Sequence, residues 1–399
     1  MQASLVVNNR HNKVSEHICH HIIGENSGAT IVFFGGIHGN EYAGVKALNN
    51  VLKHIEPKDV YGEIYGVLGN IKALEENKRF LESDLNRMWT SARLRDLREN
   101  DQLTQEQIEQ KELLGFINVL LATKKGPLYF IDLHTTSSKS LPFITINDAL
   151  INRKFSSCFP VPIVLGIEEY LDGPLLSYLN TLGYVSLGFE CGQHMDPNAV
   201  VNCEAFIHLA LNYSGHLKLN GIDEHEKVLK DASGDVSSIF EVIYKYHIKP
   251  KEDFEMQLGF ESFQNIEKGT LLAITDGIKI YSDFNAKLFM PLYQKSGNDG
   301  YFIIRQIPYF FLKLSETLRK IKADNLLTIL PGITWQDKQN GVLKANLSVT
   351  RFMAKSIFHL FGYRNKQIDK SHLLLYNRER VSKKEMYKNE LWYKKSRTL

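Results

Sequence analysis

Four short apolar runs punctuate the first half of the chain, and each gives way at once to polar, reactive side chains: Ala29 to Phe34 (ATIVFF), Glu63 to Leu68 (EIYGVL), Leu128 to Leu133 (LYFIDL) and Tyr184 to Phe189 (YVSLGF). Runs of this length and composition predict buried strands. Between them lie helix-like stretches, Tyr42 to His54, a polar one from about Arg93 to Leu121, and Gly173 to Leu182. Strands alternating with helices predict an α/β fold with a mostly parallel sheet flanked by helices, running to about Gly215. From Leu217 to Gln306 the texture changes to short β-like runs (IFEVIYKYHI, FEMQLGF, LLAITD, KIYSD, GYFIIRQI) separated by turn signals such as TDG and GNDG. After Pro308 the pattern turns helical and basic, through FFLKLSETLRKIKADNLL and SVTRFMAKSIFHLFGYRNKQ. The expected division is therefore a catalytic α/β domain over 1–216, a smaller β domain over 217–307 that caps its site, and a helical basic extension over 308–399. There is no internal repeat and no low-complexity tract.

A length of 399 residues exceeds what one hydrophobic core usually serves, and 43% hydrophobic with 23% charged residues is ordinary for a globular protein. No window approaches the eighteen or so apolar residues of a membrane span, and the opening MQASLVVNNRHN lacks a signal-peptide pattern, so the expected location is the cytoplasm. Cys19, Cys158, Cys191 and Cys203 are scattered and form no CxxC pair, which favours reduced thiols and leaves His and carboxylates as metal ligands. The net charge of +3 conceals an asymmetry: from Arg351 onward thirteen Lys/Arg face four Asp/Glu, so the body is mildly acidic and the tail basic.

Ligands of open α/β sheets bind beyond the carboxyl ends of the strands. His38 and Glu41 follow the first run, Asn70 the second, His134 the third and Glu190 the fourth, so the strand reading gathers two histidines, two carboxylates and an amide at one edge. His-x-x-Glu sets two ligands three residues apart, a spacing that a turn entering a helix can fold onto one ion, and Gly35 and Gly36 remove Cβ atoms that would crowd it. With His134 the set becomes His2Glu, which in zinc sites leaves a position open for water, and Glu190 is then the candidate general base. A lone His-x-x-Glu is common and carries little by itself; its agreement with IDLHTTSS and GFECG carries the reading. The glycine-rich turn lacks both the GK[ST] of a phosphate loop and the GxGxxG spacing. NKRFLESDLNRMW adds Arg79, Asn86 and Arg87, residue types suited to a carboxylate grip and an oxyanion, or equally to surface ion pairs.

GGIHGNE, DLNRMW, IDLHT and GFECG, in this order, resemble the aspartoacylase and succinylglutamate desuccinylase family, relatives of the zinc carboxypeptidases, over roughly residues 28 to 305. The resemblance implies a zinc-carboxypeptidase-like fold and one Zn2+ per chain on His38, Glu41 and His134. It implies Glu190 as base and proton shuttle, Arg79 as carbonyl polariser, and Asn86 and Arg87 on the α-carboxylate of a small N-acyl amino acid. A tyrosine of the β domain reaches the substrate in the aspartoacylase branch; Tyr301 is the nearest match, with Tyr293 second. The implied reaction is amide hydrolysis by a metal-activated water without a covalent enzyme intermediate, and Cys191 is expected to be a packing residue. Where aspartoacylase has an arginine for the carboxylate on the acyl side, ten residues before the catalytic glutamate, this chain has Asn180. Residues 155 to 217 hold no Lys or Arg at all. A non-acidic acyl group, or a charge met from elsewhere, is the expectation.

Two alternatives share these residues: a carboxypeptidase acting on peptides or cell-wall fragments, and a metal-binding scaffold using the basic tail. The tail's Lys/Arg would attract phosphates, but its interleaved aromatics (Phe358, Phe361, Tyr363, Tyr387, Trp392, Tyr393) favour packing against the body. Nucleic acid is not an expected partner, and a homodimer is compatible with the sequence. HICHH (His17 to His21) is expected to have a solvated or incidental role.

Overall fold

A computed structural model describes residues 16–100, 102–346, 355–367 and 371–394. In chain order the strands are β1 (Ile18–Ile23), β2 (Asn26–Gly35), β3 (Tyr61–Leu68), β4 (Leu128–Thr136), β5 (Phe143–Ile146), β6 (Ile163–Leu165), β7 (Val185–Gln193), β8 (Ile239–His247), β9 (Phe254–Met256), β10 (Asn265–Ile266), β11 (Leu271–Thr275), β12 (Ile278–Tyr281), β13 (Ala286–Phe289), β14 (Asp299–Gln306), β15 (Ile333–Asp337), β16 (Val342–Asn346), β17 (Tyr363–Gln367) and β18 (His372–Asn377). Eleven of them form one sheet in the order β1-β3-β2-β4-β7-β5-β6-β8-β14-β13-β10. β2 runs parallel to β3 and β4, and β4 parallel to β7. These central strands read as unbroken apolar runs because both their faces are covered. Helices Tyr42–Leu52 and Pro197–Tyr213 bury Ala47, Leu48 and Phe206 on one face. Helices Gln105–Thr123 and Leu175–Thr181 bury Leu113, Phe116 and Leu175 on the other. The α/β class and the mostly parallel sheet are as the sequence predicts.

Other expectations are corrected. The stretch Arg93 to Leu121 is two helices, Ser91–Glu99 and Gln105–Thr123, because Thr104 and Gln107 form a capping box that starts the second afresh. The β region is not a sheet of its own: β6 pairs with β8, and β8 with β14, so the central sheet continues across residue 217 and only β12-β11-β9 stand apart. HICHH is solvated only in part and lies at the start of the sheet; His17 is buried with Nδ1 on the Leu68 carbonyl and Nε2 3.3 Å from both Glu109 and Glu112, while His21 is exposed and stacks on Tyr65.

The extension is helical only in part. Helix Tyr309–Lys320 is followed by a four-stranded antiparallel sheet, β15-β16-β18-β17. Its alternation buries Leu343, Ala345, Leu373 and Leu375, a period of two that the many charged residues obscure in the sequence. Of SVTRFMAKSIFHLFGYRNKQ, the part before Lys355 lies outside the described residues, and the remainder is a short helix, Lys355–Leu360, and then β17.

The extension is locked to the body by buried charge. Arg319 donates to the Asp148 carboxylate and carbonyl, at 2.6 Å each, and to Glu379 at 3.2 Å, while Arg153 also pairs with Asp148. Burial alone would raise the Asp148 carboxyl, but Arg153 and Arg319 outweigh it and hold it well below the usual carboxylate range. That contribution to stability is therefore present above the ordinary carboxylate value and lost as the pH falls through the lowered one. Arg319→Met should cost about 3–5 kcal/mol at neutral pH, read as a lower denaturation midpoint, with the difference from wild type shrinking in acid. An unchanged midpoint would show that the lock does not hold the extension.

Candidate active site

β2 ends at Gly35, and the chain turns through Gly36 and Gly39 into helix Tyr42–Leu52 with Glu41 at its N-cap. Gly36 has φ +72°, and a Cβ on Gly39 would lie 2.1 Å from the Ala73 carbonyl carbon, so this turn needs glycine at both places. It sets His38 and Glu41 beside the end of β4, where Asp132 and His134, two residues apart, face the same side. Glu190 on β7 is the register partner of His134.

His38 Nδ1 lies 2.7 Å from Glu41 Oε1, and His134 Nδ1 3.0 Å from Glu41 Oε2. The opposite nitrogens are engaged by carboxylates, His38 Nε2 with Asp84 at 3.1 Å and His134 Nε2 with Asp132 at 2.8 Å. A carboxylate at Nε2 holds the proton there and turns the Nδ1 lone pair of each ring toward the shared point. The three ligand atoms lie within 4.8 Å of one another. A tetrahedral zinc with bonds of about 2.1 Å would space its ligands about 3.4 Å apart, so small outward movements accommodate the ion and the donor set fits it. Burial by itself would raise Glu41, but His38 and His134 hold its carboxyl well below the usual range. Burial would likewise lower His134, but Asp132 and Glu41 raise it well above.

These residues open into a cavity of about 130 Å3. Glu190 lines it, and its Oε2 has no hydrogen-bond partner among the described residues. Burial, reinforced by Glu41 and Asp132, pushes its carboxyl up to about 8. Arg79 joins the metal site to the cavity, donating to Asp84 Oδ2 through Nε and Nη2 with Nη1 3.6 Å from Glu41. Asn86 accepts from Leu175 N through Oδ1, which leaves Nδ2 as its donor. Arg87 Nη2 donates to Asp299 at 2.7 Å, and Asp299 is held in addition by Lys245 at 3.0 Å. The segment from Met290 to Asp299, between β13 and β14, roofs the cavity with Met290, Leu292, Gln294 and Gly297 and is tied down by Asn40 on Gln294 and by Ser137 on Tyr293.

Residues 27–204 match the model of the succinylglutamate desuccinylase/aspartoacylase catalytic domain. This part of the chain, a little under half of it, is similar to that family's catalytic domain. An aspartoacylase of Xenopus tropicalis is 30% identical over 184 residues, 44% of this chain and 56% of its own length. A succinylglutamate desuccinylase of Serratia proteamaculans (strain 568) is 34% identical over 124 residues, 29% of this chain and 36% of its own length. The chain thus spans less than two thirds of either relative. A succinylglutamate desuccinylase/aspartoacylase from Rhodobacter sphaeroides shares the fold, with TM-score 0.55 at 17% identity over 71% of this chain and 87% of that one.

The structure gathers His38, Glu41, Arg79, Asn86, Arg87, His134 and Glu190 about one cavity. Four other residues do not join them. Tyr301 is 3% exposed and stacks on Tyr246 with ring centroids 5.4 Å apart; alternation along β14 gives the cavity Phe302 instead. The hydroxyl of Tyr293 is occupied by the backbone of Gln257 and Phe260. Asn70 caps helix Ile71–Glu75 and donates to Glu106. Asn180 accepts from Asn152 and donates to the Leu176 carbonyl, and it is not among the residues that line the cavity.

Sequence reasoning gave no role to Asp84 and Asp132, which orient the two histidines, or to His194, which lines the cavity with Nδ1 on Thr135 Oγ1. Asp132 could have been found from its i, i+2 relation to His134. Cys191 packs in the core, and all four cysteines are free thiols. No helix among the described residues is long and apolar enough to cross a membrane.

Proposed function

We propose that the chain is a zinc-dependent hydrolase that cleaves the amide bond of a small N-acyl amino acid. The observation that carries this reading is the meeting of His38, Glu41 and His134, each histidine backed by a carboxylate, with the unpartnered Glu190 carboxyl in one cavity. His38, Glu41 and His134 would hold zinc there, and the ion would supply the Lewis acidity that makes a water acidic enough to attack near neutral pH and polarises the acyl carbonyl.

The chain's own groups do the rest. Glu190 takes a proton from the attacking water and delivers it to the amine as the C–N bond breaks, releasing a carboxylate and a free amino acid. Arg79, fixed by Asp84, offers positive charge to the developing oxyanion. Asn86 Nδ2 and the Arg87 guanidinium take the α-carboxylate. A substrate carboxylate competes with Asp299 for Arg87, and Lys245 keeps Asp299 paired when Arg87 turns. The roof from Met290 to Asp299 favours a small acyl amino acid over a peptide.

Elemental analysis of purified protein should give one zinc per chain. Chelation should abolish amidase activity and zinc should restore it, and Glu41→Ala should lower metal content in parallel with activity. Metal-free protein that still hydrolyses N-acyl amino acids would overturn the reading.

A further inference from the structure

The cavity wall next to the carboxylate grip is the segment from Ile167 to Ser177. It is fastened to the grip directly, since Leu175 N donates to Asn86 Oδ1 and Trp89 N to the Gly173 carbonyl. A substituent beside the α-carboxylate, which is the amino-acid side chain rather than the acyl group, therefore meets this segment. Ile167, Leu171 and Leu176 make it apolar, and among them stands Glu168. Glu168 is 2% exposed, and its Oε2 has no hydrogen-bond partner among the described residues. Its Oε1 accepts from Arg378 Nη2 at 2.8 Å, but the same nitrogen also serves Glu169 at 2.9 Å, so one guanidinium is shared between two carboxylates. The other arginines on the cavity, Arg79 and Arg87, are paired with Asp84 and Asp299.

A buried carboxylate oxygen without a donor is costly, and the cost is removed by a charged N–H group brought in by a ligand. We propose that Glu168 selects substrates whose amino-acid side chain ends in a cationic nitrogen, making this an N-acyl basic amino acid site that rejects acidic side chains. The proposal rests on the deacylase reading for its reaction and on Glu168 alone for its selectivity. Arg378, from the extension, is a positioning residue that fixes Glu168 from behind. An acidic side chain would bring like charge against Glu168 and find no unpaired arginine to receive it.

The test compares Nα-acetyl derivatives of ornithine, citrulline, norvaline and glutamate on the zinc-loaded full chain, wild type and Glu168→Gln, with free ornithine binding measured by calorimetry. The ornithine derivative should exceed the norvaline derivative in kcat/KM by about 10- to 100-fold, the worth of a charge-assisted hydrogen bond, with the glutamate derivative slowest. Glu168→Gln should bring the ornithine-to-norvaline ratio close to one. A wild-type preference for the glutamate derivative overturns the proposal without any mutant, and equal rates for citrulline and ornithine overturn its charge requirement. If no derivative is hydrolysed yet ornithine binds and Glu168→Gln abolishes that binding, the deacylase reading fails and the selectivity stands. If ornithine binds equally to both proteins, the selectivity fails.

Discussion

Glu190→Gln protein should take up zinc as the wild type does and turn over substrate about 10²–10⁴-fold more slowly, the usual contribution of a positioned general base. The substitution keeps the size of the side chain and removes its capacity to accept a proton. Because Glu190 is not among the three clustered ligands, metal content should stay at one per chain while kcat falls, whereas Glu41→Ala should lose both together. The stability of the metal-free protein should move the other way. The carboxyl is raised from its ordinary 4.5 to about 8, chiefly by burial. An acid raised on folding is penalised wherever the unfolded chain would ionise it: the penalty is absent below 4.5, grows through the window and is complete above about 8. Glutamine removes that penalty, so metal-free Glu190→Gln should melt above wild type at pH 8.5, by the equivalent of a few kcal/mol, with the gap closing toward pH 5. Zinc held by His38, Glu41 and His134 would place positive charge near the same carboxyl and so favour the ionised form that acts as a base. A loss of less than about tenfold in kcat at full metal content would remove Glu190 from the reaction.

The metal half of this site was legible because β2, β4 and β7 are central parallel strands, whose unbroken apolar runs end where the chemistry begins. Once such runs are placed, their carboxyl ends must converge, and His38, Glu41, His134 and Glu190 follow without knowledge of any contact. The substrate half was less legible because it depends on faces and registers. Tyr301 and Phe302 are adjacent on β14, and one step of alternation decides which of them meets the cavity. Asn180 lies at the expected spacing from Glu190, but its helix turns it toward Asn152. Glu168 sits in a short 3-10 turn, Ile167–Glu169, with no periodic signal, and its partner Arg378 comes from a segment more than two hundred residues later. Such long-range pairing also hid the four-stranded sheet of the extension. Its interleaved aromatics favoured packing against the body, but which of its arginines take part was not legible: Arg319 and Arg378 are buried in ion pairs with the body.

Tyr387→Ala should destabilise the whole protein by about 4–8 kcal/mol, a large share of the 5–15 kcal/mol that holds a typical domain. Tyr387 is fully buried within the main core cluster, edge-on to Tyr129 at 5.4 Å, and Trp392 beside it donates to the Tyr129 hydroxyl at 2.9 Å. Its own hydroxyl donates to the Leu128 carbonyl and accepts from Val185 N at 3.0 Å, thereby joining the first residues of β4 and β7. The alanine variant loses the ring, about 3–5 kcal/mol for a buried aromatic, and strands two backbone groups inside the core, which adds about 1–3 kcal/mol. Tyr387→Phe should lose the second contribution and keep the first, so the two variants separate packing from hydrogen bonding in one denaturation series. Lys384→Ala, a neighbouring cation with no such contacts, should leave the midpoint unchanged. Because β4 and β7 carry His134 and Glu190 at their other ends, zinc affinity and catalysis should fail only as Tyr387→Ala unfolds. Intact folding of Tyr387→Ala would mean that the extension is an appendage; its unfolding makes the extension part of the core on which the active-site strands are built.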